Sequence, residues 1–138
     1  MTTAGYSGTP LPRKLGINAG ARLVLLDAPS DFEATLGALP EDVTTRTTLR
    51  GGADIALCFV TQRRVLERRI EALGRAVFPD GGAWIVWPKR ASGVSTDMTE
   101  DVVREVALPL GLVDNKGCAV DATWSALRLV WRKERRGK

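Results

Sequence analysis

The sequence predicts an α/β three-layer sandwich. Its mixed sheet is mostly parallel, is closed by a C-terminal antiparallel hairpin, and carries helices on both faces. Three observations lead there. Ala21 to Asp27, Ala53 to Val60 and Ala83 to Trp87 are strand-length apolar runs, the composition of strands covered on both faces. Arg63 to Phe78 repeats apolar residues at helical spacing between the second and third of them. Near the C-terminus, two strand-like segments bracket the turn Asp121-Ala122-Thr123. Strands alternating with helices imply parallel βαβ units with right-handed crossovers.

Residues 1–15 read as an N-terminal arm and short helix, 16–132 as a single α/β domain, and 133–138 as a basic tail. Thr9-Pro10 pairs an N-cap with proline at the first helical position, and Gly16 ends that helix. After the strand Ala21 to Asp27, a short helix over Asp31 to Leu39 places Phe32, Leu36 and Leu39 on one side, and Pro40 stops it. Val43 to Thr48 alternates weakly and is rich in threonine, which suits an edge strand, and Gly51-Gly52 makes the turn.

Ala53 to Val60 is the second buried strand. In the helix Arg63 to Phe78, Leu66, Ile70, Leu73 and Val77 form one stripe. Arg64, Arg68, Arg75, Glu67 and Glu71 occupy the other face, as a solvated surface with helical ion pairs. Pro79-Asp80-Gly81-Gly82 stops it before the third buried strand, Ala83 to Trp87. Asp97 and Glu100 form a capping-box-like pair for a helix from Met98 to Leu110, which buries Val102, Val103, Val106, Ala107 and Leu110 and ends at Gly111. Leu112 to Val120 and Trp124 to Arg132 complete the hairpin, with Leu127, Leu129 and Trp131 on one face.

Composition narrows the function. A chain of 138 residues, 44% apolar and 26% charged, is one soluble domain with a real core. It has neither an apolar run of about 18 residues nor the pattern of a secretory signal, so no membrane partner and a cytoplasmic location are expected. Histidine is absent, which excludes histidine-dependent triads, zinc sites and proton shuttles. No acidic cluster resembles a metal loop, so no metal is expected. Cys58 and Cys118, in separate apolar segments, read as buried reduced thiols. The C-terminus gathers Arg128, Arg132, Lys133, Arg135, Arg136 and Lys138 against one acid, Glu134. Such a tail suits salt-sensitive nucleic-acid contacts, but a solvated, frayed terminus is the simpler reading.

In open α/β sheets, ligands collect beyond the carboxyl ends of the parallel strands. That edge gathers Asp27 and Pro29, then Thr61 and Gln62, then Trp87 to Ser92. Lys89, Arg90 and Ser92, followed by Gly93 and the N-terminus of the helix after Asp97, suit a small anionic ligand. Trp87 offers a stacking face. The plainer alternative makes Trp87-Pro88 core packing and the two cations solvated loop residues. In the arm, Tyr6, Ser7 and Thr9 suit a lid or a protein-partner contact, with a disordered start as the alternative. Trp124 reads as core edge rather than partner interface. A general base would have to be Asp27, Asp121 or another carboxylate, and Cys58 is mid-strand, unsuited to a reactive thiolate. The residues favour a non-catalytic binding or regulatory protein over an enzyme.

From Gly16 to Arg132 this succession resembles a shortened, Rossmann-like class I methyltransferase fold. The resemblance is carried by "ADIALCFV", "LGRAVFPDGGAWIVWPK" and "LGLVDNKGCAVDATWSALRLVWRK". It implies a reduced S-adenosylmethionine- or nucleotide-dependent enzyme as the alternative function. The chain departs from that family where it expects a glycine-rich loop, since Asp27 leads into Ala28-Pro29-Ser30. It also lacks an acid ending the second strand, so S-adenosylmethionine is a doubtful cofactor. A second resemblance is to a small actinobacterial family of unknown function, through "AGYSGTPLPRKLGI", "DFEATLG", "WPKRASGVSTDMTEDVVREVALPLGLVD" and "CAVDATWSALRLV". That family implies no established reaction. Ligand identity lies beyond the sequence.

Overall fold

The continuous apolar runs become central strands because alternate residues of each enter two different cores. In the computed structural model, which describes residues 8–137, Val24 and Leu26 join one core while Leu23 and Leu25 join the other. Ala56, Cys58 and Val60 are divided in the same way from Ile55, Leu57 and Phe59. Among the described residues six strands form one sheet: β1 (Arg22–Leu26), β2 (Thr44–Arg46), β3 (Ile55–Phe59), β4 (Gly82–Pro88), β5 (Leu112–Ala119) and β6 (Trp124–Trp131). Their order is β2-β1-β3-β4-β6-β5. The first four are parallel, while β6 runs antiparallel to β4 and β5 antiparallel to β6. β2 is the expected edge strand.

Helices α3 (Arg63–Val77) and α4 (Glu100–Ala107) cover one face; the shorter α1 (Leu11–Lys14) and α2 (Phe32–Leu36) cover the other. The three-layer mixed sandwich is therefore observed, with one thin layer. Trp84 fastens that layer to the sheet: it is fully buried, and its indole N–H donates to the Leu15 carbonyl at 2.9 Å. The turn into β4 passes so close to β3 that a Cβ on Gly81 would lie 2.8–2.9 Å from the carbonyl oxygens of Ala53, Asp54 and Val77. No helix among the described residues is long and apolar enough to cross a membrane.

Several boundaries differ from expectation, each for a local reason. Helix α1 starts at Leu11 with Pro10 at its N-cap, so Thr9 stands exposed outside it. Helix α2 ends at Leu36 because Gly37 takes φ 80°, leaving Leu39 beyond the helix. The N-cap of α4 is Thr99, whose hydroxyl accepts from the Val102 N–H at 3.1 Å. Asp97 is drawn away to α3. Helix α4 gives way to a 3-10 turn at Leu108–Leu110, where Pro109 lacks an N–H to continue the ladder. Cys58 is buried as expected, whereas Cys118 is only half-buried. The tail does not fray at once: α5 (Lys133–Arg136) forms, and Arg135 and Arg136 donate to the carbonyls of Leu110 and Trp131.

Candidate functional site

The carboxyl ends of β1, β3 and β4 lie along one edge, as their parallel registers require. Strand order reverses between β1 and β3, since β1 has β2 on one side and β3 on the other. Ligands of such sheets enter at that switch point. Here the chain's own groups stand at it. Asp27 leaves β1 at φ 59°, and its carboxylate pairs with Arg69 of α3 at 2.7 Å. Towards the other face, Phe32 packs edge-on against Phe59, and Phe59 against Trp124, at centroid distances of 4.9 and 5.2 Å. Phe32 and Phe59 are buried and Trp124 is half-buried, at the core edge. Cys58 lies behind the ion pair, and burial pushes its thiol up to about 12, against a smaller opposing effect of Arg69. A thiol so shifted stays protonated at neutral pH.

The open space lies further along, beyond β3 and β4. One groove, of about 490 Å³, is lined by Thr61, Gln62, Arg64 and the segment Ser95 to Asp97. A second, of about 610 Å³, is lined by Trp87, Pro88, Arg90 and residues 93–100. Ser95, Thr96 and Asp97 border both, and Asp27 borders neither. The segment between them is tied down. The Thr96 hydroxyl donates to the Thr61 carbonyl at 2.6 Å and accepts from the Met98 N–H at 3.0 Å. The Asp97 carboxylate accepts from the Arg63 N–H at 2.7 Å, at the start of α3. A helix N-terminus attracts anions, and this one already holds a carboxylate from its own chain. The first turn of α4 carries Glu100 and Asp101. Both helix starts beside the grooves thus carry carboxylates of the chain's own.

The sequence-derived candidates separate accordingly. Thr61, Gln62, Trp87 and Arg90 border the two grooves. Trp87 is only 8% exposed and belongs to the core, so the little surface it shows is groove wall. Gln62 accepts from the Arg64 guanidinium at 2.7 Å. Lys89 is turned towards the hairpin: its ammonium donates to the Asp121 carbonyl at 2.7 Å and its backbone N–H to the Thr123 carbonyl. Asp121 spends its carboxylate on the N–H groups of Thr123 and Trp124, shaping the turn. Ser92 closes the loop by donating to the Lys89 carbonyl and accepting from the Val94 N–H. Arg90 is exposed and, among the described residues, has no ion pair. Tyr6 and Ser7 lie outside the described residues. Arg69, Thr96 and Thr99 were not picked out from sequence, and Arg64 was read there only as part of a solvated helix face. "STDMT" contains four groups able to cap a helix, and nothing local says which helix each serves.

No protein-family model matches the sequence, and no curated protein matches it. Solved structures do match in fold. A SAM-dependent methyltransferase from Aquifex aeolicus superposes with a TM-score of 0.60 at 11% identity, over 85% of each chain. The DhpI–SAH complex matches with a TM-score of 0.61 at 13% identity, over 90% of this chain and 83% of the other. The N-methyltransferase NodS from Bradyrhizobium japonicum WM9 matches at 0.56 and 12%, over 86% and 90%. The chain has an α/β Rossmann-like, methyltransferase-like fold.

Proposed function

We propose that this chain is a non-catalytic binding or regulatory protein on a methyltransferase-like scaffold. It takes a small anionic ligand or a protein partner in the grooves beyond β3 and β4. One observation carries the reading: the switch point between β1 and β3 is taken up by the Asp27–Arg69 ion pair and the Phe32–Phe59–Trp124 cluster. Pro29 adds to this, since it has no N–H to offer a phosphate or carboxylate. Arg64 and Arg90 are the cations that line the grooves, and Asp97 and Glu100 the carboxylates. An anionic group is therefore received beside these two arginines. The likeness to a small actinobacterial family is compatible with this reading but adds no chemistry to it.

The second reading, a reduced S-adenosylmethionine-dependent enzyme, draws on the fold shared with proteins such as DhpI, seen with SAH bound. Calorimetric titration decides between them. With S-adenosylmethionine or S-adenosylhomocysteine, no saturable heat is expected; saturable binding overturns the first reading in favour of the second. With inorganic pyrophosphate as probe, binding that survives unchanged in Arg90→Ala removes the groove as its site.

A further inference from the structure

We propose a second, separate binding site at the opposite edge of the sheet, where a cavity between the N-terminal ends of β1, β3 and β4 takes a small organic oxyanion on Arg128. The cavity, about 480 Å³, is lined among others by Asn18, Arg22, Asp54, Phe78, Asp80 and Arg128. Arg128 projects from β6 over Gly82, the first residue of β4, and a Cβ on that glycine would overlap the guanidinium at Nε, Cζ and Nη2. The glycine gives the guanidinium its place on the sheet.

The charges around the cavity are not equally engaged. Arg22 spends Nε and Nη2 on the Asp54 carboxylate, at 3.3 and 3.1 Å, and Nη1 on the Gly51 carbonyl at 3.1 Å. That pair neutralises itself. Arg128, half-buried, has neither an ion pair nor a side-chain hydrogen bond among the described residues, although it lines the cavity. Burial depresses its pKa, and the like charge of Arg136 depresses it further. A cation that gives up hydration without gaining a partner is costly. A carboxylate or phosphate placed against its planar fork supplies paired charge-assisted hydrogen bonds. Asp80, exposed on the lining, disfavours a bulky polyanion and leaves room for one anionic head. Phe78 is 42% exposed and held edge-on against Trp131 at 5.7 Å. It supplies an apolar wall for the body of the ligand, and so the class is a small organic acid or phosphate monoester rather than a bare ion.

The test is titration of phenyl phosphate into the full chain. Calorimetry reports affinity, and the arginine Nε–H signals of 15N-labelled protein report the location. Saturable binding is expected, moving one Nε–H signal that is missing from Arg128→Lys. Arg128→Gln is expected to weaken binding by about tenfold or more, the scale of a charge-assisted hydrogen bond, while Arg68→Ala, at an exposed arginine that borders neither the cavity nor the grooves, leaves it unchanged. Gly82→Ala, which displaces the guanidinium but keeps its charge, should show the same loss and serves where Arg128→Gln does not fold. No saturable binding by the parent chain, or parental affinity in the Arg128 or Gly82 variant, overturns the proposal.

Discussion

Replacing Asp97 by alanine tests whether the segment before α4 locks the strand-end edge. Its carboxylate accepts from the backbone N–H of Arg63 at 2.7 Å, at the first turn of a 15-residue helix. Loss of an N-cap acceptor costs about 0.5–2 kcal/mol, and a negative charge at a helix start contributes about 0.3–1 kcal/mol of that when exposed. Asp97 is exposed, so Asp97→Ala should cost about 1 kcal/mol. For a chain of this size that lowers the thermal midpoint by about 4 °C. Asp97→Asn keeps an acceptor and loses the charge, and its midpoint should fall between the two. Raising salt should narrow the gap between the parent and Asp97→Asn, because salt screens charge at an exposed site. It should leave the gap between Asp97→Asn and Asp97→Ala unaltered. Circular dichroism melts of the three proteins at low and high salt make the measurement. If Asp97→Ala melts with the parent, or Asp97→Asn melts with Asp97→Ala, the contact does not act as a cap and the reasoning fails.

Trp84→Phe removes a fully buried indole N–H and strands the Leu15 carbonyl, so urea unfolding should show a loss of about 2–4 kcal/mol; a loss under 1 kcal/mol (on the order of one exposed hydrogen bond) would mean that α1 is not fastened there. The Arg22 guanidinium holds the Asp54 carboxyl below its ordinary 3.8, mainly through side-chain hydrogen bonds. A depressed carboxylate stabilises the fold above the unfolded-state value and loses that contribution as pH falls through the folded-state value. Acid titration of stability should accordingly be shallower below pH 3.8 for Asp54→Asn than for the parent; parallel curves would remove Asp54 from the acid response. Under native conditions iodoacetamide should modify Cys118, half-buried, before Cys58, whose thiol is pushed up to about 12. Mass spectrometry of the two peptides reads the order, and labelling of Cys58 first would contradict its burial.

The central strands and α3 were legible because their signals are local and redundant. Burial on both faces demands an unbroken apolar run, and burial on one demands a stripe at helical period. Helix ends were harder to read, since capping groups compete. In "STDMT", Thr99 rather than Asp97 starts α4. Asp97 has a backbone N–H of α3 within reach, a neighbour 34 residues away in sequence. The edge of the sheet carrying Thr61, Gln62, Trp87 and Arg90 followed from topology, because parallel strands put all their carboxyl ends together. Which of those side chains stay available did not follow. Lys89 is committed to the Asp121 carbonyl, and that commitment depends on β6 running antiparallel beside β4.

By itself, then, the sequence determined the layer order, the mixed sheet and the absence of a glycine-rich loop directly after Asp27, all of which are written in residue type and period. Only the tertiary structure decided where charge is satisfied. Asp27 was free on paper and is paired with Arg69; Arg128 looked like part of a basic C-terminus and, among the described residues, stands without a partner over Gly82. The physical reason is that pairing is settled by distances of a few ångströms between groups far apart in the chain. Hydrophobic period carries no record of those distances.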